Sequence, residues 1–426
     1  MNKKNVFYWV LYDFANSVSF VAFYLYFSQW LVVERGLSDF RFNMIFVGSS
    51  ALLTLTAPVL GSMADRRGLR LTYLKRVTVM TYICYLAASI VPFIVKTTLW
   101  PAVLCFLMVN YFYLLSLVFY TPLLSDISPP QRRGYVSGLG QFGNWIGQVA
   151  GLIICLPLVK GMVLLPGPPG RVQAFLPATL AYIALSLPMI LLFRAPERHL
   201  TVKAARTTGL QEMQEFAENC RGLLKVPGIV LFLLSYFLFA DALLTISINF
   251  PIFLQQVWSL PDSIKSSILL MILVCSALGS VLSGWASDRL GLKPTLVFLL
   301  LGFCVLLPVI AMQRNFVSFN IAVAVLSVFF GSVFAVTRAL LTRLCPNEKL
   351  NFASSFYVLF ERFATFIGPM AWGAIVSGMA DSGPVRYRWA FGAMAVFVMI
   401  SVALALKIPK RNEEGTARTA LDYIKE

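Results

Sequence analysis

Charge is what this chain has least of. Only 13% of its 426 residues are Asp, Glu, Lys or Arg, against about 25% in an ordinary soluble domain. Histidine is scarcer still: one, His199, in a polar stretch. Without an imidazole in the apolar regions and without H-E-x-x-H, a membrane zinc protease, a His-dependent acyltransferase or a Ser-His hydrolase is not expected. A G-x-x-x-x-G-K-[ST] loop is also missing, so this chain is not expected to hydrolyse ATP, and no cofactor is expected. The seven cysteines (84, 105, 155, 220, 275, 304, 345) have no C-x-x-C spacing. They read as small apolar fillers, neither disulfides nor metal ligands.

What is abundant is hydrophobic residues, at 58%, with a mean hydropathy of +0.77. A span needs about 20 largely apolar residues. Twelve segments qualify: 6–33, 43–63, 73–95, 99–120, 135–157, 173–193, 227–254, 266–287, 294–312, 316–337, 352–378 and 388–406. All are expected to be helices, because an open strand edge in lipid leaves backbone groups unpaired. The first run follows Lys3 and Lys4, is too long for a signal peptide and has no clear A-x-A site, so it reads as a retained span.

The net charge of +16 does not point to nucleic acid. With both termini cytoplasmic, 24 of the 35 Lys and Arg fall on that side and 9 on the other, with Arg338 and Arg362 in or beside spans. This asymmetry is the positive-inside bias, with anionic lipid headgroups as natural partners.

Gly61-Ser-Met-Ala-Asp65-Arg66-Arg67-Gly68-Leu69-Arg70 recurs as Gly284-Trp-Ala-Ser-Asp288-Arg289-Leu290-Gly291-Leu292-Lys293. Each copy of G-x-x-x-D-R-x-G-L-[RK] lies between apolar stretches, so the chain reads as two related six-helix halves. The expected divisions are an N-terminal half, 1–194, a cytoplasmic central loop, 195–226, a C-terminal half, 227–408, and a cytoplasmic tail, 409–426. Within the loop, 210–224 suits a short amphipathic surface helix; the plainer reading is a solvated linker. The segment Lys160–Arg171 should be an external loop, and the chain from Lys410 onward a polar tail.

Two parallel six-helix repeats with this doubled loop resemble the major facilitator superfamily. The resemblance implies an all-helical membrane fold of twelve helices, with pseudo-two-fold symmetry and halves rocking about a central site. Trp9-Val-Leu-Tyr12-Asp13-Phe-Ala-Asn16-Ser17 is similar to the opening of the vacuole effluxer branch. So are Leu124–Gly140 before span five, Thr337-Arg338 to Pro346, and Arg362 to Pro369. That branch implies amino acids as solute, and export. The protein is expected in an inner or plasma membrane, as a monomer, with a small solute, membrane lipids and protons or another coupling ion as partners. A drug-like or siderophore-like solute, or a transporter-like receptor, are the alternatives.

Charges inside a bilayer are costly and are functional candidates by default. Asp13 and Asn16, three residues apart, are expected to share a face of span one. Asp241 in span seven is the symmetry mate of Asp13. The two acids could bind a cation or proton, gate the site, cap a helix or pair with an Arg. Glu361 and Arg362 point about 100° apart and should not pair with each other; Glu361 is either a solute or proton group or the partner of Arg338. In span five, Ser137, Gln141, Asn144, Trp145 and Gln148 form a polar stripe, beside Gly138, Gly140, Gly143, Gly147 and Gly151 at close-packing spacing. Tyr24, Asn110, Tyr113 and Asn249 are further candidates to meet solute, with Phe20, Tyr111, Ser116 and Ser247 beside them. In the doubled loop, the Gly61, Gly68, Gly284 and Gly291 positions should allow tight turns. Asp65 and Asp288 should accept from a helix N-terminus or pair with an Arg. Arg66, Arg67 and Arg70 should face water and lipid phosphate, and Arg289 should repeat the role of Arg66. Such loops would latch one end-state of the rocking cycle.

Overall fold

The computed structural model describes residues 2–37, 39–94, 99–163, 165–166, 170–194, 218–364 and 367–409. His199, most of 210–224, part of the 160–171 loop and the tail from Lys410 lie outside the described residues. Thirteen helices carry the fold. In the first half they are α1 (Lys3–Phe20), α2 (Asp39–Arg67), α3 (Arg70–Ile94), α4 (Trp100–Tyr120), α5 (Arg133–Val159) and α6 (Phe175–Leu191). In the second they are α7 (Ile229–Trp258), α8 (Asp262–Leu290), α9 (Leu292–Met312), α10 (Phe316–Leu344), α11 (Leu350–Phe363), α12 (Ile367–Gly378) and α13 (Val385–Lys407). No strand occurs among the described residues.

Eleven of these crossings are long and apolar enough to span alone. The eleventh expected segment, 352–378, is instead divided. At 1.5 Å per residue, α11 and α12 reach only about 21 and 18 Å, so the two together make the remaining crossing. The first crossing keeps its length through wide-turn π segments, Val21–Phe27 and Trp30–Glu34, which carry it beyond Phe20. Such wide turns insert an extra residue per turn and redirect the side chains that follow.

Helix ends obey local chemistry. Asn2 and Asn315 cap α1 and α10 through their side-chain oxygens, which accept from Lys4 N at 3.1 Å and Val317 N at 2.8 Å. Gly68 (φ +63°) and Gly291 (φ +94°) make the turns out of α2 and α8, a conformation that costs a side chain but not glycine. By alternation, the start of α1, the end of α13 and both doubled loops lie at one end, called the basic end below. The short helical piece 218–224 also packs there: Asn219 Nδ2 donates to Ser62 Oγ of α2 at 2.7 Å. The linker is therefore docked at this point instead of fully solvated.

Candidate functional site

The halves meet at the basic end in two symmetry-related clasps. Asp65, at the end of α2, reaches across to the start of α11. Its Oδ2 accepts from Phe352 N at 3.0 Å and its Oδ1 from Asn351 Nδ2 at 2.5 Å. Asp288, at the end of α8, does the same for α5, accepting from Gly134 N and Tyr135 N at 2.8 Å each. Each motif carboxylate thus caps a helix of the opposite half, where exposed N–H groups and the helix dipole favour negative charge.

Three expectations for the doubled loop need correction. Arg70 does not face water. It is buried, 3.1 Å from Asp65 Oδ1 and 3.6 Å from Asp126 Oδ1, and donates to the Asn347 carbonyl across the clasp. A guanidinium can serve three acceptors at once because its donors are spread in a rigid fork. Arg67 is exposed and Arg66 half-buried. Gly61 and Gly284 are not turn glycines either. Both lie inside helices, where the halves touch most closely: a Cβ on Gly61 would sit 2.9 Å from the Asn351 carbonyl oxygen, and one on Gly284 2.5 Å from the Gly134 carbonyl oxygen. Finally, the two copies differ in their basic residues. Lys293, in the place of Arg70, donates to the carbonyls of Leu406 (2.7 Å) and Ile408, and Arg289 stacks on Trp285 at 3.9 Å.

The glycine contacts give a direct test. Gly284→Leu overfills the α5–α8 crossing at a cost of about 1–3 kcal/mol. Cross-linking between Q131C and L290C across the Asp288 clasp should then slow roughly tenfold, since 1.4 kcal/mol is a factor of ten. Gly373→Ala, at a position with no heavy atom within 4 Å, should leave it unchanged.

Deeper in the membrane, Asp13 is 2% exposed and meets the other half directly. Arg338 Nη1 donates to its Oδ2 at 2.8 Å, and Arg338 Nη2 donates to Gln141 Oε1 at 2.8 Å. Asn144 Nδ2 donates to Asp13 Oδ1 at 3.1 Å, and Asn144 Oδ1 accepts from Gln148 Nε2 at 3.0 Å. The Tyr120 hydroxyl lies 3.2 Å from Asp13 Oδ2 and 3.0 Å from the Trp9 carbonyl. The Trp9 and Tyr120 rings stack at 4.6 Å beside the guanidinium. The polar stripe of α5 therefore faces α1 and α10, and Ser137 extends it by donating to the Ala335 carbonyl at 2.6 Å. Its glycines let α1 lie flush: a Cβ on Gly143 or Gly151 would lie 2.9 or 2.8 Å from the Val10 or Val18 carbonyl oxygen.

Asn16 does not share the face of Asp13. A three-residue step leaves about 60° between two side chains on a helix. Here Asp13 turns to Arg338, whereas Asn16 turns with Tyr12 and Ser19 into the interior of its own half. Asp241 does not repeat Asp13 either: it is fully buried, and its Oδ2 accepts from Gly368 N at 2.6 Å. It thereby caps α12, and this cap sits at the break between α11 and α12.

Glu361 is not the partner of Arg338, which belongs to Asp13. Tyr236 donates its hydroxyl proton to Glu361 Oε2 at 2.8 Å. The expectation that Glu361 and Arg362 stay apart also fails, since Arg362 Nη2 lies 4.0 Å from Glu361 Oε1. Both side chains are long enough to bend across the 100° between them. Tyr236 stacks on Tyr357 at 4.1 Å. From the first half, Tyr24 and Tyr113 come within electrostatic reach of Arg362. Phe20 stacks on Tyr24 at 4.2 Å. Asn110 and Asn249 bind only carbonyls of their own helices, at 2.9 Å each, and the structure does not bring them to these charges.

Sequence reading missed Tyr120, Tyr236, Asn347 and Asn351 as members of these networks. For Tyr120 the usable signal was an aromatic hydroxyl at a helix end facing the Tyr12–Asp13 segment. For Asn347 and Asn351 there was none, because their partners lie more than 270 residues away. All seven cysteines are free thiols. At Cys345, outside the spans, burial pushes the thiol up to about 12. No cluster of three or more potential metal ligands occurs among the described residues.

Residues 232–421 match the sequence model of the Major Facilitator Superfamily. The chain is 24% identical to YxiO of Bacillus subtilis (strain 168), an uncharacterized MFS-type transporter, over 97% of both chains. Among solved structures it is similar to FucP in the outward conformation (TM-score 0.78, 12% identity, 96% and 98% covered). It is also similar to a bacterial homologue of the iron transporter ferroportin in its outward-facing state (0.74, 14%, 96% and 99%) and to the proton:xylose symporter XylE (0.73, 15%, 96% and 97%). The chain has the all-helical major facilitator fold.

Proposed function

We propose that this protein moves a small polar organic solute across an inner or plasma membrane by alternating access, with both termini cytoplasmic. The observation that carries the reading is a pair of opposite charges at the interface between the halves. Glu361 and Arg362 lie side by side on α11, within electrostatic reach of Tyr24 and Tyr113. A carboxylate suits an ammonium group, a guanidinium suits a carboxylate, and the tyrosines offer ring faces. Together with the resemblance to the vacuole effluxer branch, this favours an amino acid or related metabolite, and export. The two clasps close the basic end in one state and separate in the other. Asp13, whose only basic partner in the network belongs to the opposite half, is the favoured site for proton coupling, because separating the halves leaves a carboxylate that protonation would neutralise.

The test is ligand-dependent thermal stabilisation of the purified protein with amino acids, dipeptides and siderophores at millimolar concentration. Stabilisation grows as RT ln(1 + [L]/Kd), about 2.7 kcal/mol at 100 Kd. An amino acid is expected to raise the melting temperature, and Arg362→Gln to abolish that rise without changing the unliganded value by more than a degree or two. A response to siderophores alone would replace the amino-acid reading with a larger solute. No response from any compound at either of two pH values would remove the support for a small-solute site.

A further inference from the structure

The interior of the first half contains a polar seam that the two-half architecture does not require. On α3, Thr78, Tyr82, Tyr85 and Ser89 recur at helical spacing on one face and are buried or half-buried. They meet Tyr12 of α1, which has Asn16 beside it, and Thr179, Tyr182 and Ser186 of α6. Three cross-helix bonds tie the seam: Tyr12 to Thr78 at 2.8 Å, Tyr82 to Ser186 at 2.6 Å and Ser89 to Thr179 at 2.8 Å. From Thr78 to Ser89 it runs about 16 Å, at 1.5 Å per residue, roughly half the thickness of a bilayer core.

Other atoms along this seam, and Asn110 Oδ1 on the neighbouring α4, form no complete hydrogen bond, although Tyr12 lies beside Asn16 and Tyr182, and Ser19 beside Tyr85. Both side-chain atoms of Asn16, the hydroxyls of Tyr85 and Tyr182, and Asn110 Oδ1 of α4 are buried without a hydrogen bond. The residues are at most 1% exposed. Leaving one such group dry costs about 1–3 kcal/mol, so five in one core is an expense a folded protein does not ordinarily carry. The second half offers the comparison. At the corresponding places, α9 and α13 fill the core with Leu296, Phe303, Leu307, Phe391, Met394 and Val398, all buried. The second half keeps one polar bond at the matching place, Ser235 to Ser401 at 2.8 Å between α7 and α13, but no file of tyrosines among the described residues.

We propose that the seam is a water-binding site: a file of ordered water between α1, α3, α4 and α6, held by Asn16, Tyr85, Tyr182 and Asn110. A buried water makes about three hydrogen bonds to otherwise unsatisfied groups, and the orphaned atoms supply both donors and acceptors. Anything larger than water is shut out by the rings, since Tyr85 meets Phe23 at 4.5 Å and Tyr182 at 5.3 Å, and Tyr82 meets Tyr182 at 5.3 Å. The file lies against α1 and gives the helix that carries Asp13 a wet flank within the membrane. The inference stands on burial and unmet hydrogen bonds, independent of the solute.

Hydroxyl-radical labelling of the full-length purified protein tests it, because radiolysis of bound water modifies adjacent side chains that bulk solvent does not reach. Tyr85 and Tyr182 should label several-fold faster than Tyr120 and Tyr236, which are equally buried but hydrogen-bonded to protein. Asn16→Leu should lower labelling at Tyr85 and Tyr182 without raising the melting temperature. Equal labelling of the four tyrosines in the unmodified protein would overturn the proposal. So would a stabilised Asn16→Leu variant, the result expected of a dry seam relieved of an unsatisfied amide.

Discussion

Asp65→Ala combined with Asp288→Ala should convert the protein from closed to open at the basic end. The two carboxylates accept bonds from Asn351, Phe352, Gly134 and Tyr135, all in the opposite half. Hydrogen bonds to charged groups contribute about 1.5–3 kcal/mol each. Because neighbouring bonds are not additive, the pair of clasps is worth on the order of 5 kcal/mol or more. Moving an equilibrium from 99:1 to 1:99 takes about 5.5 kcal/mol. Loss of both clasps should therefore nearly invert the population, and loss of either alone should move it part of the way. The effects should also differ between copies. Asp65→Ala strands Arg70, which keeps Asp126 at 3.6 Å, whereas Asp288→Ala strands no buried cation. Asp65→Ala should accordingly lower thermal stability more. Spin labels at Q131C and L290C, with the seven native cysteines replaced, report the separation directly. An unchanged distance distribution in the double variant would show that helix packing alone holds this end shut.

The crossings and the duplication were legible because hydropathy and a ten-residue repeat are local signals. The division of the eleventh crossing was not. Phe352–Gly378 reads as one long, largely apolar run despite Glu361 and Arg362, and the break is stabilised by Asp241, 127 residues away, accepting from Gly368. The capping ability of Asp65 and Asp288 followed from their chemistry, but that each caps the other half depends on packing that sequence spacing does not encode. The same limit explains Arg70, read as a solvated loop cation until Asp126 and Asn347 are brought to it. Asn16 was misplaced by a smaller error: 60° on a helix is enough to move a side chain from the interface to the interior. Glu361 and Arg362 failed in the opposite sense, since backbone geometry separates them and side-chain length does not.

Removing Arg338 alone should produce the largest loss of stability at any one position. Arg338→Met leaves the Asp13 carboxyl group 2% exposed and without its cation. Breaking a buried pair in this way costs about 3–5 kcal/mol. The remaining partners, Tyr120 and Asn144, offset part of that cost through hydrogen bonds at 3.2 and 3.1 Å. Asp13→Asn should cost less than Arg338→Met, because the guanidinium keeps Gln141 at 2.8 Å and the rings of Trp9 and Tyr120. The double variant Asp13→Leu with Arg338→Met should recover most of the loss, since an apolar pair of similar volume is often as stable as the ion pair it replaces. A double-mutant cycle read by thermal unfolding isolates this coupling. If the pair were only a structural fastener, the restored double variant would also show the unmodified distribution at the Q131C–L290C labels. The expected result is a stable protein whose distribution is shifted and no longer responds to pH, because the ion pair that joins the halves through Asp13 is gone. Additive losses in the cycle would instead show that Asp13 and Arg338 act independently and would remove the basis for assigning coupling to this pair.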